Sequence, residues 1–539
     1  MKKVYTILLV LVYAIAAAQS QRTILHVHGA GNDTSETPAA QVIDARGNIC
    51  VTGTISQGSN LSMLTQRYSP VGTLLWSATF SGTVGGGACD IKTDGRSNLY
   101  VAGITSDTAG ISEFRVIKYD HNGNIDWVTA FPDTVASWYW SCRLALDNAG
   151  NVYAAGMMNH NNLYVLKYDQ NGSLLWARRY PPTISYWTWM GRTSIKVDAN
   201  NDLYIAGGLH HGNNNAKLCL IKYSSSGNLL WTAEDNGSSE WMDHANDLQL
   251  DGSGNIYVTG REEYGIEMNN FILMKYDPSG NMIWKKIYNN PSDGGDEPYD
   301  VMISADGSVY ITGLEDRHTP SLKPYAGTTI KYDANGNELW KLTLGDGSER
   351  YVGYRMAEDI SKNLYITGYY VSELTANAPG WKRGIFTARV SSAGMVQWVD
   401  TCLIDGGGSG IAIDIHPAGG AYVSATMSDT VMDANGYHYF NLALIRYDSD
   451  AVSAGEEMPI VNELEVFPNP SQGMITVRTG DKSSAIEIHD LSGRCVYTVK
   501  ANEISAQNEI DLSHLGAGAY TVRVINGNNT STRKLLVVK

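Results

Sequence analysis

The chain has 539 residues, 43% of them hydrophobic and only 18% charged, with 55 Gly, 32 Tyr and 7 Phe. That is material for a large core or several domains, and the Gly- and Tyr-rich, charge-poor balance suits turn-rich β-structure better than a helical enzyme. A net charge of −15 argues against nucleic acid as a partner, because binding its backbone rests on Lys and Arg neutralising phosphates.

Residues 1–18 read as a secretory signal peptide. Lys2 and Lys3 form the basic start, Thr6 to Ile15 is mostly apolar, and Ala16-Ala17-Ala18 supplies small residues for cleavage before Gln19. The apolar run falls short of the roughly 20 residues that span a bilayer, so no transmembrane segment is expected in the mature chain. A predicted strand follows at Thr23-Ile24-Leu25-His26-Val27-His28.

Residues 19–448 are built from one returning stretch of about 50 residues. Its first half, D-x-x-G-N-x-Y-V-x-G, ends at Gly53, Gly103, Gly156, Gly207, Gly260, Gly313, Gly368 and, degraded, Ala425. Its second half, K-Y-D-x-x-G-N-x-x-W, ends at Trp76, Trp127, Trp176, Trp231, Trp284, Trp340 and Trp398, and an eighth copy stops at Arg446-Tyr447-Asp448. Apolar runs of four to seven residues between Gly/Asn/Asp turns are strands. In one unit they fall at 282–288, 299–304, 308–313 and 328–333, and four-stranded units repeated radially make a propeller. With the strand before each D-x-x-G-N innermost (a) and the Trp strand outermost (d), the last unit lacks strand d. The segment at Thr23 to His28 is expected to supply it, giving eight blades with joined ends. The repeat Trp residues then pack between blades.

These strings resemble the SBBP β-propeller repeat of bacterial exported proteins, over about residues 30–450. Ser304 departs from the turn Asp, Val390 from the Tyr, and the eighth unit reads HPAGGAYVSA. The resemblance implies a fold and no reaction.

The six cysteines, Cys50, Cys89, Cys142, Cys219, Cys402 and Cys495, form no C-x-x-C pair, so no zinc site is expected. Cys89 and Cys142 share one register in neighbouring units, which sets their Cα atoms too far apart to bridge. Buried free thiols are the expectation.

After a linker at 449–461, residues 462–539 form a small antiparallel β-sandwich. Pro468, Asn469, Pro470 and Gly473 open it, a Ser-Gly-Arg hairpin at Gly493 follows, and Gly518, Tyr520 and Lys534 mark the last strands. These strings closely resemble the type A C-terminal sorting domain of the type IX secretion system of Bacteroidota-type bacteria. The resemblance implies export through that machinery, with the protein secreted or held on the outer cell surface.

The a–b and c–d turns share one face and are uniform, whereas the d–a and b–c loops share the other and vary. Function on a rigid scaffold concentrates in variable loops. Trp138, Trp140, Trp187, Trp189, Trp241 and Trp381 gather on that face, with Tyr139, Tyr186, Tyr299, Tyr351 and Tyr354. Arg143, Arg192, Asp243, His244, Asp296, Glu297, Arg350 and Arg355 are interleaved. Such rings with a few charges would bind a glycan or a protein; the plainer reading is that they fill the mouth of a wide ring. His160, His210 and His211 read as solvated loop residues, and no metal site is assigned. Turns such as Asp333-Ala334-Asn335-Gly336-Asn337 look like half a calcium loop but lack its downstream Glu, and a plain Asx turn explains them. No cofactor is expected. No nucleophile elbow or H-E-x-x-H occurs, so no catalytic residue is assigned. The leading expectation is a monomeric secreted or surface propeller that binds an extracellular glycan or protein. The alternatives are a polysaccharide-active enzyme using Asp243, Asp296 or Glu297 with Arg192 or Arg350, and a passive adhesion or structural protein.

Overall fold

Short apolar and aromatic runs broken by Asp- and Gly-bearing turns have one outlet, antiparallel strands joined tightly. Strands are the only regular elements among the described residues. The computed structural model describes residues 22–28, 34–58, 60–82, 85–106, 112–132, 142–158, 162–180, 186–187, 193–210, 216–235, 243–263, 269–290, 294–316, 325–345, 349–373, 381–403, 407–432, 438–448, 465–467, 474–478, 485–490, 494–500, 507–516, 518–526 and 529–537. The expected signal peptide lies outside them. The chain divides into two compact units, Met1–Ser449 and Asp450–Lys539. No helix among the described residues is long and apolar enough to cross a membrane.

Among those residues the first unit holds eight antiparallel sheets. Seven run a-b-c-d in chain order, with strand a at Thr34–Ile43, Gly85–Thr93, Cys142–Leu146, Ser194–Val197, His244–Leu250, Glu297–Ile303 and Glu349–Glu358. The fourth sheet adds a two-residue strand, Tyr186–Trp187, paired with His210 and Leu209. The eighth takes strands a to c from Gly408–Ile415, Ala421–Met432 and His438–Tyr447. Its outer strand comes from the other end of the chain: Arg22–His28 pairs with His438–Tyr447, Thr23 opposite Arg446 and Ile24 opposite Ile445.

The repeated residues each have a physical task. In the a–b turn of the fifth sheet, Asp251 Oδ1 accepts the amides of Ser253 and Asn255 at 2.9 Å. Asn255 Nδ2 donates to Oδ2 at 2.8 Å, and Gly254 takes φ +81°. The c–d turn at Asp333 is built the same way, so both oxygens of that calcium-like Asp already accept from their own turn. The Tyr of G-N-x-Y is buried, and the Lys or Arg of strand c lies over its ring, from 4.5 Å for Lys167 on Tyr153 to 5.9 Å for Arg446 on Tyr422.

The repeat Trp makes the junction to the following sheet. Trp76, Trp127, Trp176, Trp231, Trp284 and Trp340 donate from Nε1 to a carbonyl of the next c–d turn at 3.0–3.4 Å. The Gly of that turn lies flat on the indole; a Cβ on Gly280 would stand 2.8 Å from Trp231 Cδ2. Trp398 instead stacks on Tyr447 of the eighth sheet, 5.3 Å away at 22°. Between the eighth and first sheets Leu25 of the N-terminal strand takes the place of Trp, against Gly72. Tyr422 Oη donates to Pro70 O at 2.7 Å, and Ile49, Val51 and Tyr68 share a core with Tyr422, Leu442 and Leu444.

Two cysteine expectations are corrected. Cys89 and Cys142 form a disulfide, with Cα atoms 5.6 Å apart. They sit on strands a, where neighbouring sheets come close enough for Leu144 N to donate to Asp90 Oδ2 at 2.8 Å. Equivalence of register does not set distance at the inner edge. Cys50 and Cys219 are buried free thiols, but Cys402 is half-buried and Cys495 is exposed.

In the second unit, Glu465–Phe467, Met474–Arg478 and Gln507–Asp511 form one sheet. Cys495–Lys500, Ala485–Asp490, Gly518–Asn526 and Asn529–Val537 form another. Ile475, Val477 and Ile510 of the first and Ile486, Ile488, Val522 and Leu535 of the second share one core.

Candidate functional site

Six strands a carry a β-bulge five residues before the turn residue. Ala39, Cys89, Asn246, Tyr299, Tyr354 and Ile411 are skipped in the pairing with strand b. The bulge explains why Y-V-x-G ends in Gly. The kinked strand brings Thr37 O, His244 O, Glu297 O and Val352 O to where a Cβ would stand on Gly53, Gly260, Gly313 and Gly368. In the eighth sheet Ala425 stands at this position, opposite Gly410.

A bulge re-aims the side chains beside it. Here residues at or next to strand a of all eight sheets line a single cavity of about 240 Å³. The position four before the turn residue reads Ala40, Asp90, Arg143, Ser194, Asp247, Asp300, Arg355 and Ala412 from the first sheet to the eighth, and every one lines it. Two residues further along the strands stand Lys92, Lys196, Gln249 and Asp414.

The charges in this cavity are held by neighbours. Lys92 Nζ lies 2.7 Å from Asp90 Oδ1. Burial pushes the Asp90 carboxyl up, but Lys92, Arg143 and the Leu144 amide outweigh it and leave Asp90 below the usual range. Asp247 accepts from Ser194 Oγ at 2.7 Å and Asp300 from Met356 N at 2.8 Å. Burial raises Asp300; Arg355 opposes this, while the neighbouring Asp247 adds to it. Burial also lowers Arg143, against the pull of Asp90. Asp414, holding Gln41 Nε2 at 3.0 Å, is pushed by burial up to about 7. This wall of mixed charge suits a small polar or ionic group.

In the sixth and seventh sheets the bulged residues, next in the chain to the lining residues Asp300 and Arg355, are Tyr299 and Tyr354, half-buried and edge to face at 5.1 Å. Tyr369 joins Tyr354 at 5.6 Å, with the exposed Arg383 over its ring at 5.5 Å. Arg350 lies over Tyr325 at 5.7 Å. Tyr299 Oη donates to Glu297 Oε2 at 3.4 Å, and Arg261 faces that oxygen at 3.8 Å. The result is a half-exposed Tyr/Arg rim.

Trp138, Trp140, Trp189, Arg192, Trp241, His160 and His211 lie outside the described residues. Trp187 and Trp381 are placed by backbone alone, opposite Leu209 and Glu373. Arg350 is at the rim. Asp243, His244 and Asp296 are fully enclosed. Asp243 donates its amide to Ala216 O and accepts the Glu263 amide, both at 2.8 Å. Asp296 donates to Asn269 O at 2.7 Å and accepts from Asn290 and Asp316. Burial pushes both carboxyls up to about 7 against these bonds. Burial holds His244 well below its usual range, hence neutral, with Nε2 4.0 Å from Glu297 Oε1. Asp243 and Asp296 thereby tie neighbouring backbone segments together. Asp90, Asp247, Asp300, Tyr369 and Arg383 were missed; aligning the repeats four residues before the turn would have exposed the first three.

Of the sorting residues, Pro468, Asn469, Pro470, Gly473 and Gly493 lie outside the described residues. Gly518 pairs with Val537 and Thr521 with Lys534, while Tyr520 Oη donates to Gly516 O at 2.9 Å. Residues 465–539 match the secretion system C-terminal sorting domain. The second unit is a type IX sorting domain. The protein is thus exported to the cell surface or the extracellular space, and its sorting domain engages the type IX secretion machinery. No curated protein matches the chain. Among solved structures, a eukaryotic initiation factor is 8% identical with a TM-score of 0.34, covering 68% of this chain and 89% of that one. A subtype N11 neuraminidase-like protein of an A/flat-faced bat/Peru isolate (H18N11) is 8% identical with a TM-score of 0.32, covering 60% of this chain and 89% of that one.

Proposed function

We propose that the first unit is an eight-bladed propeller of SBBP-type repeats, closed by the N-terminal strand. In this reading it leaves the cytoplasm on its signal peptide and binds an extracellular glycan through the Tyr/Arg rim. The observation that carries the binding reading is Tyr299, Tyr354 and Tyr369 standing half-exposed in a chain of ring contacts beside residues that line the polar cavity, with Arg350 and Arg383 against neighbouring rings. Ring faces cover the CH faces of sugars, and guanidinium groups offer planar paired donors to hydroxyl or carboxylate oxygens. Trp138, Trp140, Trp187, Trp189, Arg192, Trp241 and Trp381 are proposed to continue the same rim, while Asp243, His244 and Asp296 position it. The eight-sheet lining of one cavity and the Leu25–Gly72 contact support the closed ring.

The test is a glycan and polysaccharide binding screen on the full chain, with Tyr354→Ala/Tyr369→Ala alongside and sugar release followed in the same wells. Binding that falls at least tenfold in a variant of unchanged melting temperature is expected. Unchanged binding by the folded variant, or no glycan bound by the wild type, would overturn the site. Released sugar would make turnover the activity instead.

A further inference from the structure

The second unit carries a side-chain cluster that its role as a sorting address does not require. In the hairpin of Ala485–Asp490 with Cys495–Lys500 the register shifts between Ile488 and His489, and His489 comes to stand opposite Cys495. Glu487, two residues earlier on the same strand, leaves by the same face as His489. A carboxylate oxygen, an imidazole nitrogen and a thiol sulfur thereby lie within 4.8 Å of one another. We propose that Glu487, His489 and Cys495 bind a borderline-soft divalent cation of the Zn²⁺ class, with water as a fourth ligand.

The donor set selects that class. Sulfur, nitrogen and oxygen in one site suit Zn²⁺, whereas Ca²⁺ and Mg²⁺ take oxygen ligands alone. Tetrahedral arms of about 2.1–2.3 Å place ligand atoms about 3.5 Å apart, so side-chain rotation suffices to close the site. Glu487 Oε2 already lies 2.9 Å from His489 Nε2, holding the ring in the cluster. The thiol is exposed, within 3.2 Å of Thr498 Oγ1. Binding converts the Cys495 thiol to a thiolate and releases its proton to buffer. Glu487 exchanges its bond to the imidazole for one to the metal. The cation would tie the two strands of the hairpin across their turn.

The experiment uses the full chain, metal-free and with the Cys89–Cys142 disulfide intact, titrated with Co²⁺ as a spectroscopic stand-in for Zn²⁺. One equivalent should develop a sulfur-to-cobalt charge-transfer band with the intense visible absorption of tetrahedral Co²⁺, and Zn²⁺ should displace it. Cys495→Ser should abolish the band. His489→Ala should keep sulfur ligation but weaken affinity by more than the roughly 10–100-fold cost of losing an outer-shell partner. Because Cys495 is exposed, Cys495→Ser should melt as the metal-free wild type does. No sulfur-to-cobalt band in the wild type, or an unchanged band in Cys495→Ser, would overturn the site.

Discussion

The two ends of each inner strand follow different rules. At the a–b turn the same few residues recur because every group is satisfied within five residues: an Asp carboxylate, two amides, an Asn side chain and a Gly in the left-handed region. At the bulged end the Gly that makes room for the kink recurs, whereas the residue presented to the cavity changes among Ala, Asp, Arg and Ser. Local satisfaction repeats along a chain. A shared cavity is filled once, so no single residue type is repeated in all eight sheets.

The comparison breaks most sharply at glycine. Gly313→Ala drives a Cβ into the Glu297 carbonyl and is expected to cost about 4 kcal/mol or more. Gly254→Ala, at a turn with φ +81° and no close backbone neighbour, should cost only about 1–2 kcal/mol. Urea unfolding of the two variants measures the ratio, and equal costs would deny the bulge its role. At the sheet junctions, Trp231→Ala loses a large ring and a hydrogen bond and is expected to cost about 3–5 kcal/mol in the same assay. Opening the inner-edge disulfide with Cys89→Ser/Cys142→Ser should cost about 2–4 kcal/mol, with wild-type protein in reductant as the control.

The smallest effect concerns pH. Asp243, Asp296 and Asp414 have folded pKa values raised to about 7. A raised carboxyl binds more protons folded than unfolded, so its contribution is full below about pH 4 and is lost as pH rises through about 7. The melting temperature should therefore fall between pH 5 and pH 8, and Asp243→Asn should flatten that fall. A melting temperature rising over this range would show these carboxyls to be ionised in the fold.

Much of the architecture was legible because the repeat encodes groups satisfied locally or against the next sheet. Tyr, Lys, Asp, Gly and Trp each marked a strand, a turn or a junction, and the missing Trp strand pointed to Thr23–His28. The disulfide was not legible, since matching registers say nothing of how closely inner strands approach. Asp243, His244 and Asp296 read as surface charges because loop positions look solvated until neighbouring loops cover them. Tyr369 and Arg383 were hidden in ordinary strand sequence; only the pairing of strands b and c brings them to the rim.

The claim that the sheets converge on one cavity needs the eighth sheet seated against the first through the N-terminal strand. The most direct measurement is thermal unfolding with amide hydrogen exchange on the full chain, a variant lacking residues 22–28, and Leu25→Asp. A lowered melting temperature in both variants, with protection lost first in His438–Tyr447 and the first sheet, is the predicted result. Unchanged melting and unchanged protection in those strands would contradict it.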